Sequence, residues 1–161
     1  MLEKLIFEKV SNKNFENFLF LVDKLAEYEK LTPPDKNGKN RLKKDALSKN
    51  PKYEAYIWKL NEKPVGYIIF FMTYSSFLAL PTFYLEDIFL LKEHRGKGIG
   101  KQMFQFCINT AKNKKCGRME WCVLNWNKLA IEFYEKVNAK PLSEWTYYRL
   151  DKKDIKKLGK K

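Results

Sequence analysis

Leu85-Glu86-Asp87-Ile88-Phe89-Leu90-Leu91-Lys92-Glu93-His94-Arg95-Gly96-Lys97-Gly98-Ile99-Gly100-Lys101 reads as strand, loop and helix in succession. The apolar run ends at Leu91. From Ile99 the period changes, with Ile99, Met103, Cys107, Ile108 and Ala111 falling on one helical face. Glycines at 96, 98 and 100 let backbone N–H groups converge where a Cβ would block approach. The helix start behind them adds a partial positive charge, so the loop is a cradle for a diphosphate. Arg95, Lys97 and Lys101 surround it with full charges. A Walker A loop requires Gly-Lys-Ser/Thr, but Gly100-Lys101 is followed by Gln102. A dinucleotide fingerprint requires a third glycine, which would fall on Lys101 or Met103. Both nucleotide readings fail on spacing.

Upstream, Phe15, Phe18, Leu19, Val22, Leu25 and Ala26 have helical spacing over 14–28, with Ser11 or Asn12 as cap and Thr32-Pro33-Pro34 as the stop. Residues 34–50 are polar, with a short helix expected around 42–47. Strands are expected over 53–60, 64–74 and 82–91. Downstream come a strand over 119–124, a helix over 127–137 with Leu129, Ala130, Phe133 and Val137 inward, and a last strand over 145–150. The order describes one α/β domain over residues 1–161, with its strands consecutive in the middle.

Apolar residues make up 45% of the 161-residue chain, enough for one sizeable core. No apolar run approaches the ~20 residues of a membrane helix, and Met1-Leu2-Glu3-Lys4 opens no signal peptide. A cytoplasmic protein with no membrane partner is expected. Cys107, Cys116 and Cys122 form no CxxC pair and His94 is the single histidine, so no metal site is expected. The net charge of +13 is concentrated in 36–52, 92–118 and 151–161. Between the first two, residues 75–91 carry only Glu86 and Asp87. No nucleic-acid motif accompanies the lysines and no aromatic residues interleave with them, so nucleic acid is not the expected partner.

Arg95-x-x-Gly98-x-Gly100 after an apolar strand resembles the Arg/Gln-x-x-Gly-x-Gly/Ala signature of the GNAT N-acetyltransferases. Asn127-Lys128-Leu129-Ala130-Ile131-Glu132-Phe133-Tyr134 resembles that family's Asn-x-x-Ala-x-x-Phe-Tyr segment. Tyr84-Leu85-Glu86-Asp87-Ile88-Phe89, Trp126-Asn127 and Leu25-Ala26-Glu27-Tyr28-Glu29 are most similar to the diamine (spermidine/spermine) and thialysine acetyltransferases. The resemblance implies a mixed, twisted sheet with flanking helices, splayed after its fourth strand, acetyl-CoA in the splay, a small-molecule amine as acceptor, attack in a ternary complex and a homodimer. It implies cofactor contacts from Ile88, Phe89, Leu90, Arg95, Gly96, Lys97, Gly98, Ile99, Gly100, Lys101, Asn127, Ala130 and Tyr134.

An alkylammonium of pKa ~10.4 must lose a proton before it attacks, at about 4 kcal/mol at pH 7. Glu86 is the candidate acceptor, direct or through water. Asp87 points to the opposite face of an ideal strand and joins Glu86 only if the strand is bulged, as the family's is. Backbone N–H groups near Phe89 and Leu90 are then candidate oxyanion donors. By resemblance Tyr134 is the acid for the departing thiolate, and Tyr28, Glu29, Glu86 and Asp87 meet the acceptor. Two departures stand out. Asn138 replaces the usual helix-ending glycine, and the stretch around Ser76 lacks the aspartate that the polyamine enzymes carry near this point. A protein N-terminus or lysine stays open as an alternative acceptor, and a basic nucleic-acid module as a more distant reading.

Overall fold

The computed structural model describes residues 4–159. The first three residues of the N-terminal reading and the last two lysines of the basic tail lie outside them. The described residues form two compact units, divided between Cys122 and Val123.

In the first unit the order is β1 (Leu5–Lys9), α1 (Phe15–Glu29), α2 (Lys36–Leu47), β2 (Glu54–Leu60), β3 (Lys63–Ser75), β4 (Leu80–Leu90), α3 (Ile99–Asn113) and β5 (Arg118–Trp121). The five strands lie in sequence order in one sheet. β1 to β4 are antiparallel neighbours. β5 returns through α3 to pair parallel with β4, which makes the sheet mixed. That pairing runs only from Thr82–Arg118 to Leu85–Trp121, while β4 continues to Leu90. The parallel pairing therefore covers only the first part of β4.

One face of the sheet is covered by α1. Phe15, Phe18 and Leu21 pack on Ala55, Ile57, Tyr67, Ile69 and Phe89, all buried. Burying each large apolar side chain contributes about 1.5–3 kcal/mol. α3 covers the other face with Met103, Phe104 and Cys107, and Phe106 meets Tyr56 and Trp58 ring to ring.

Several expectations are corrected. Asn14, not Ser11 or Asn12, stands at the start of α1; its Oδ1 accepts from the Ser11 N–H at 2.7 Å and its Nδ2 donates to the Lys9 carbonyl, which explains its burial. α2 is a full twelve-residue helix, because Asp35 caps it by accepting from the Gly38 N–H at 2.6 Å. Ile108 is solvent-exposed and Phe104 takes the inward position on α3. β5 ends at Trp121, short of the expected Leu124.

The second unit holds α4 (Lys128–Lys136) and α5 (Lys152–Leu158). The strand expected over 145–150 does not form, and the residues around it are exposed. Alternating apolar residues make a strand only against a partner edge. Leu129 is exposed rather than inward. Asn138 adopts φ 63°, the left-handed stop that glycine would otherwise supply, and the Ala139 N–H donates to the Tyr134 carbonyl.

Candidate active site

β4 changes face in its middle. Ile69 lies opposite Asp87 and Phe70 opposite Leu85, which leaves Glu86 as an extra residue with no counterpart on β3. This is a β-bulge. Before it, Phe83 stacks on Phe70 on the α3 side. After it, Phe89 joins the α1 cluster and Asp87 accepts a hydrogen bond from the Tyr67 hydroxyl at 3.0 Å. The bulge therefore brings Asp87 to the α1 side, where an unbroken alternation would not.

Two carboxylates, Glu86 and Glu29, act on the Asp87 carboxyl there. Burial pushes the Asp87 carboxyl up to about 6; the Tyr67 hydrogen bond opposes the rise, and the charges of Glu86 and Glu29 add to it. Glu29, in the last turn of α1, is itself raised by burial. The Tyr67 hydroxyl is pushed well above the usual phenol range, first by burial and then by Asp87, so it stays protonated and donates. Glu86 is exposed on the bulge and open to a solute. Such a site favours a cation, because a positive charge relieves the repulsion that burial strengthens.

Beyond Leu90 the chain makes a short 3₁₀ turn (Lys92–His94) and enters the glycine loop. Gly96 and Gly98 have φ of 76° and 80°, in the left-handed region, and a Cβ at either would meet no atom within 4 Å. The space before the loop is open. Gly98 begins the fifteen-residue α3 and no side chain caps that end, so its first N–H groups remain for a ligand. Lys97 and Lys101 are exposed beside them. Phe89, Leu90 and Ile99 bury their side chains, which leaves their backbones as possible contacts. Arg95 behaves differently from a free loop cation. Its Nε–H donates to the Leu90 carbonyl at 2.9 Å and its guanidinium lies 4.6 Å from the centre of the Tyr28 ring. His94 is half-buried in the turn.

In the second unit Asn127 caps α4 by accepting from the Ala130 N–H at 3.3 Å. Tyr134 is half-buried and its ring meets Phe133 edge-on at 5.6 Å.

A residue the sequence reading passed over is Tyr67. Its signal was present: one phenol inside the apolar run 65–71 needs a polar partner once buried.

Residues 19–139 match the acetyltransferase (GNAT) family, across the boundary between the two units. The chain belongs to the GNAT acetyltransferases. It is thus an acetyl-CoA-dependent N-acetyltransferase, and the open glycine cradle with its uncapped helix fits the diphosphate of that donor. A thialysine N-ε-acetyltransferase of Bos taurus is 31% identical over 156 residues, covering 90% of this chain and 91% of the relative. An L-ornithine N5-acetyltransferase of Arabidopsis thaliana is 44% identical over 93 residues, 57% of this chain and 41% of that protein. The solved structure of an aminoglycoside N-acetyltransferase in complex with CoA superposes with a TM-score of 0.76 at 16% identity, covering 93% of this chain and 97% of that one. Within this GNAT chain, no helix among the described residues is long and apolar enough to cross a membrane.

Proposed function

We propose that this acetyltransferase acts on the terminal amine of a small lysine-like, ornithine-like or diamine substrate, by direct attack while both substrates are bound. The observation that carries the reading is the group Glu29, Glu86 and Asp87, assembled by the β4 bulge beside the glycine loop. It offers a second cationic group of the acceptor a partly desolvated anionic pocket. The names of the thialysine and ornithine relatives support the same class, and serine at position 76 takes one carboxylate away from the polyamine pattern.

Acetyl-CoA supplies a thioester carbonyl for the amine to attack and a thiolate that leaves. Glu86, exposed on the bulge, accepts the ammonium proton directly or through water. Asp87 and Glu29 hold the distal cation, with Tyr28 beside them, and Tyr67 fixes Asp87. Backbone N–H groups near Ile88, Phe89 and Leu90 polarise the carbonyl. The glycine loop, Lys97 and Lys101 hold the diphosphate. Asn127 and Ala130 contact the donor's arm, and Tyr134 protonates the thiolate. These last roles come from the family resemblance.

A single domain over 1–161, a cytoplasmic location and a homodimer belong to the same proposal. The family match crosses both units, the three cysteines are free thiols, and Leu142, Trp145, Tyr148 and Leu150 expose apolar surface for a second copy.

The test is thiol release from acetyl-CoA with thialysine, lysine, ornithine, putrescine, spermidine and short peptides in parallel. Turnover is expected with one or more of the small diamino compounds. Turnover with peptides alone overturns the acceptor class, and no thiol release with any amine overturns the activity.

A further inference from the structure

Arg95 opens the glycine signature, yet its side chain is engaged by the Leu90 carbonyl and the Tyr28 ring. The Nε–H is fixed on the Leu90 carbonyl at 2.9 Å. The guanidinium plane sits 4.6 Å from the Tyr28 ring centre and 5.8 Å from that of Phe89, and the two rings are themselves 6.2 Å apart. Two segments distant in sequence meet there: the last turn of α1, and the end of β4 with the loop that follows it. Arg95 lines a cleft of about 280 Å³ together with Tyr28, Phe89, Lys24, Glu27 and Glu93. The contacts that fix its side chain there are the ring and the carbonyl.

What the stack holds matters more than the stack itself. Tyr28 precedes Glu29, and α1 ends one residue later, where Lys30 turns left-handed at φ 57° and the Leu31 N–H returns to the Ala26 carbonyl at 2.9 Å. Glu29 thus hangs on a terminal turn, the part of a helix that opens most readily. A planar cation on the ring before it, anchored to the strand bearing Asp87, limits that opening.

We propose that the Arg95 side chain is a positioning residue for the amine pocket: stacked on Tyr28 and tied to Leu90, it holds the last turn of α1, and with it Glu29, against β4. The cradle then uses the Arg95 backbone, while the side chain serves the acceptor. This rests on the acetyltransferase reading above for its kinetic consequence but not for its structural one.

Two measurements on Arg95→Gln decide it. Amide hydrogen exchange in the ligand-free protein is expected to speed up at Lys30 and Leu31, while the middle of α1 stays as in wild type. Steady-state kinetics are expected to show about a tenfold rise in KM for the amine, the size of one cation–ring contact, with the Kd for acetyl-CoA within about twofold. In a Tyr28→Leu background the same substitution is expected to add little, because the route through the ring is already gone. Unchanged exchange at Lys30 and Leu31 overturns the proposal, and so does a loss confined to acetyl-CoA binding or an additive double mutant. If Arg95→Gln does not fold, Arg95→Lys keeps the charge over the ring and loses the Nε–H bond; it is expected to show a smaller change of the same kind, and wild-type exchange and KM in it count against the proposal. Absence of turnover in the wild type would refute the acetyltransferase reading, and the exchange result would still judge the clamp.

Discussion

Replacing Asp87 by asparagine should stabilise the protein while impairing it as an enzyme. Burial raises the Asp87 carboxyl from 3.8 to about 6. At about 1.4 kcal/mol per pH unit, the ionised form costs the fold about 3 kcal/mol at neutral pH. The sign follows from proton linkage. Between pH 3.8 and 6 the folded protein holds the Asp87 proton more tightly than the unfolded chain does, so stability falls as pH rises through this window and stays low above it. Asparagine removes the ionisation and still accepts from the Tyr67 hydroxyl, though less strongly, which takes back about 1 kcal/mol. The net gain at pH 8 is about 2 kcal/mol, or roughly 4–8 °C in Tm for a chain of this size. Thermal melts of wild type and Asp87→Asn from pH 4 to pH 8 test it, because the difference between the two curves cancels all other titrating groups. The gap should open with pH and close near pH 4. A diamine at saturation should narrow it at pH 8, since its cation meets a carboxylate only in the wild type. A variant no more stable than wild type at pH 8, or a gap independent of pH, would refute the argument that Asp87 is held ionised against its own burial.

Tyr134→Phe should lower turnover at least about tenfold with the Kd for acetyl-CoA nearly intact; unchanged turnover in the folded variant removes Tyr134 from the proposed mechanism. Gly98→Ala forces a side chain onto φ 80° and should cost about 1 kcal/mol of stability. Its Cβ also enters the open cradle, so calorimetry should show acetyl-CoA affinity falling by more than about tenfold, and wild-type affinity would speak against the cradle. Trp145→Glu should shift the mass measured by sedimentation from dimer to monomer at micromolar concentration; a monomeric wild type excludes that use of the exposed segment.

The parts of the fold legible in the sequence were those fixed by local period and punctuation. The helix over 15–29, the glycine loop and α3 each follow from apolar spacing between glycine or proline signals. Asn138 was legible as a helix stop for the same reason. What required a second segment was not. The bulge at Glu86 entered the reading only through the family resemblance; it is a relation between β4 and β3, and their register shows that this residue has no counterpart. The stretch 145–150 carries strand-like residues, but no alternation supplies a neighbouring edge. At the site, Glu29, Glu86 and Asp87 were candidates through family resemblance, whereas Tyr67 and the inward turn of Arg95 depend on packing across twenty or more residues.

The bulge also determines how this strand tolerates change. Phe83 and Leu85 belong to one side of the sheet and Asp87 and Phe89 to the other, because Glu86 shifts the alternation by one place. Substitutions at Glu86 alter a side chain and leave that parity alone. Deleting it restores a regular strand, and every residue from Asp87 to Leu90 would exchange sides, sending a carboxylate into the α3 core and Phe89 away from Tyr28. Homologous chains should therefore keep the length of this segment, and a one-residue gap here would mark a protein that has lost the pocket altogether.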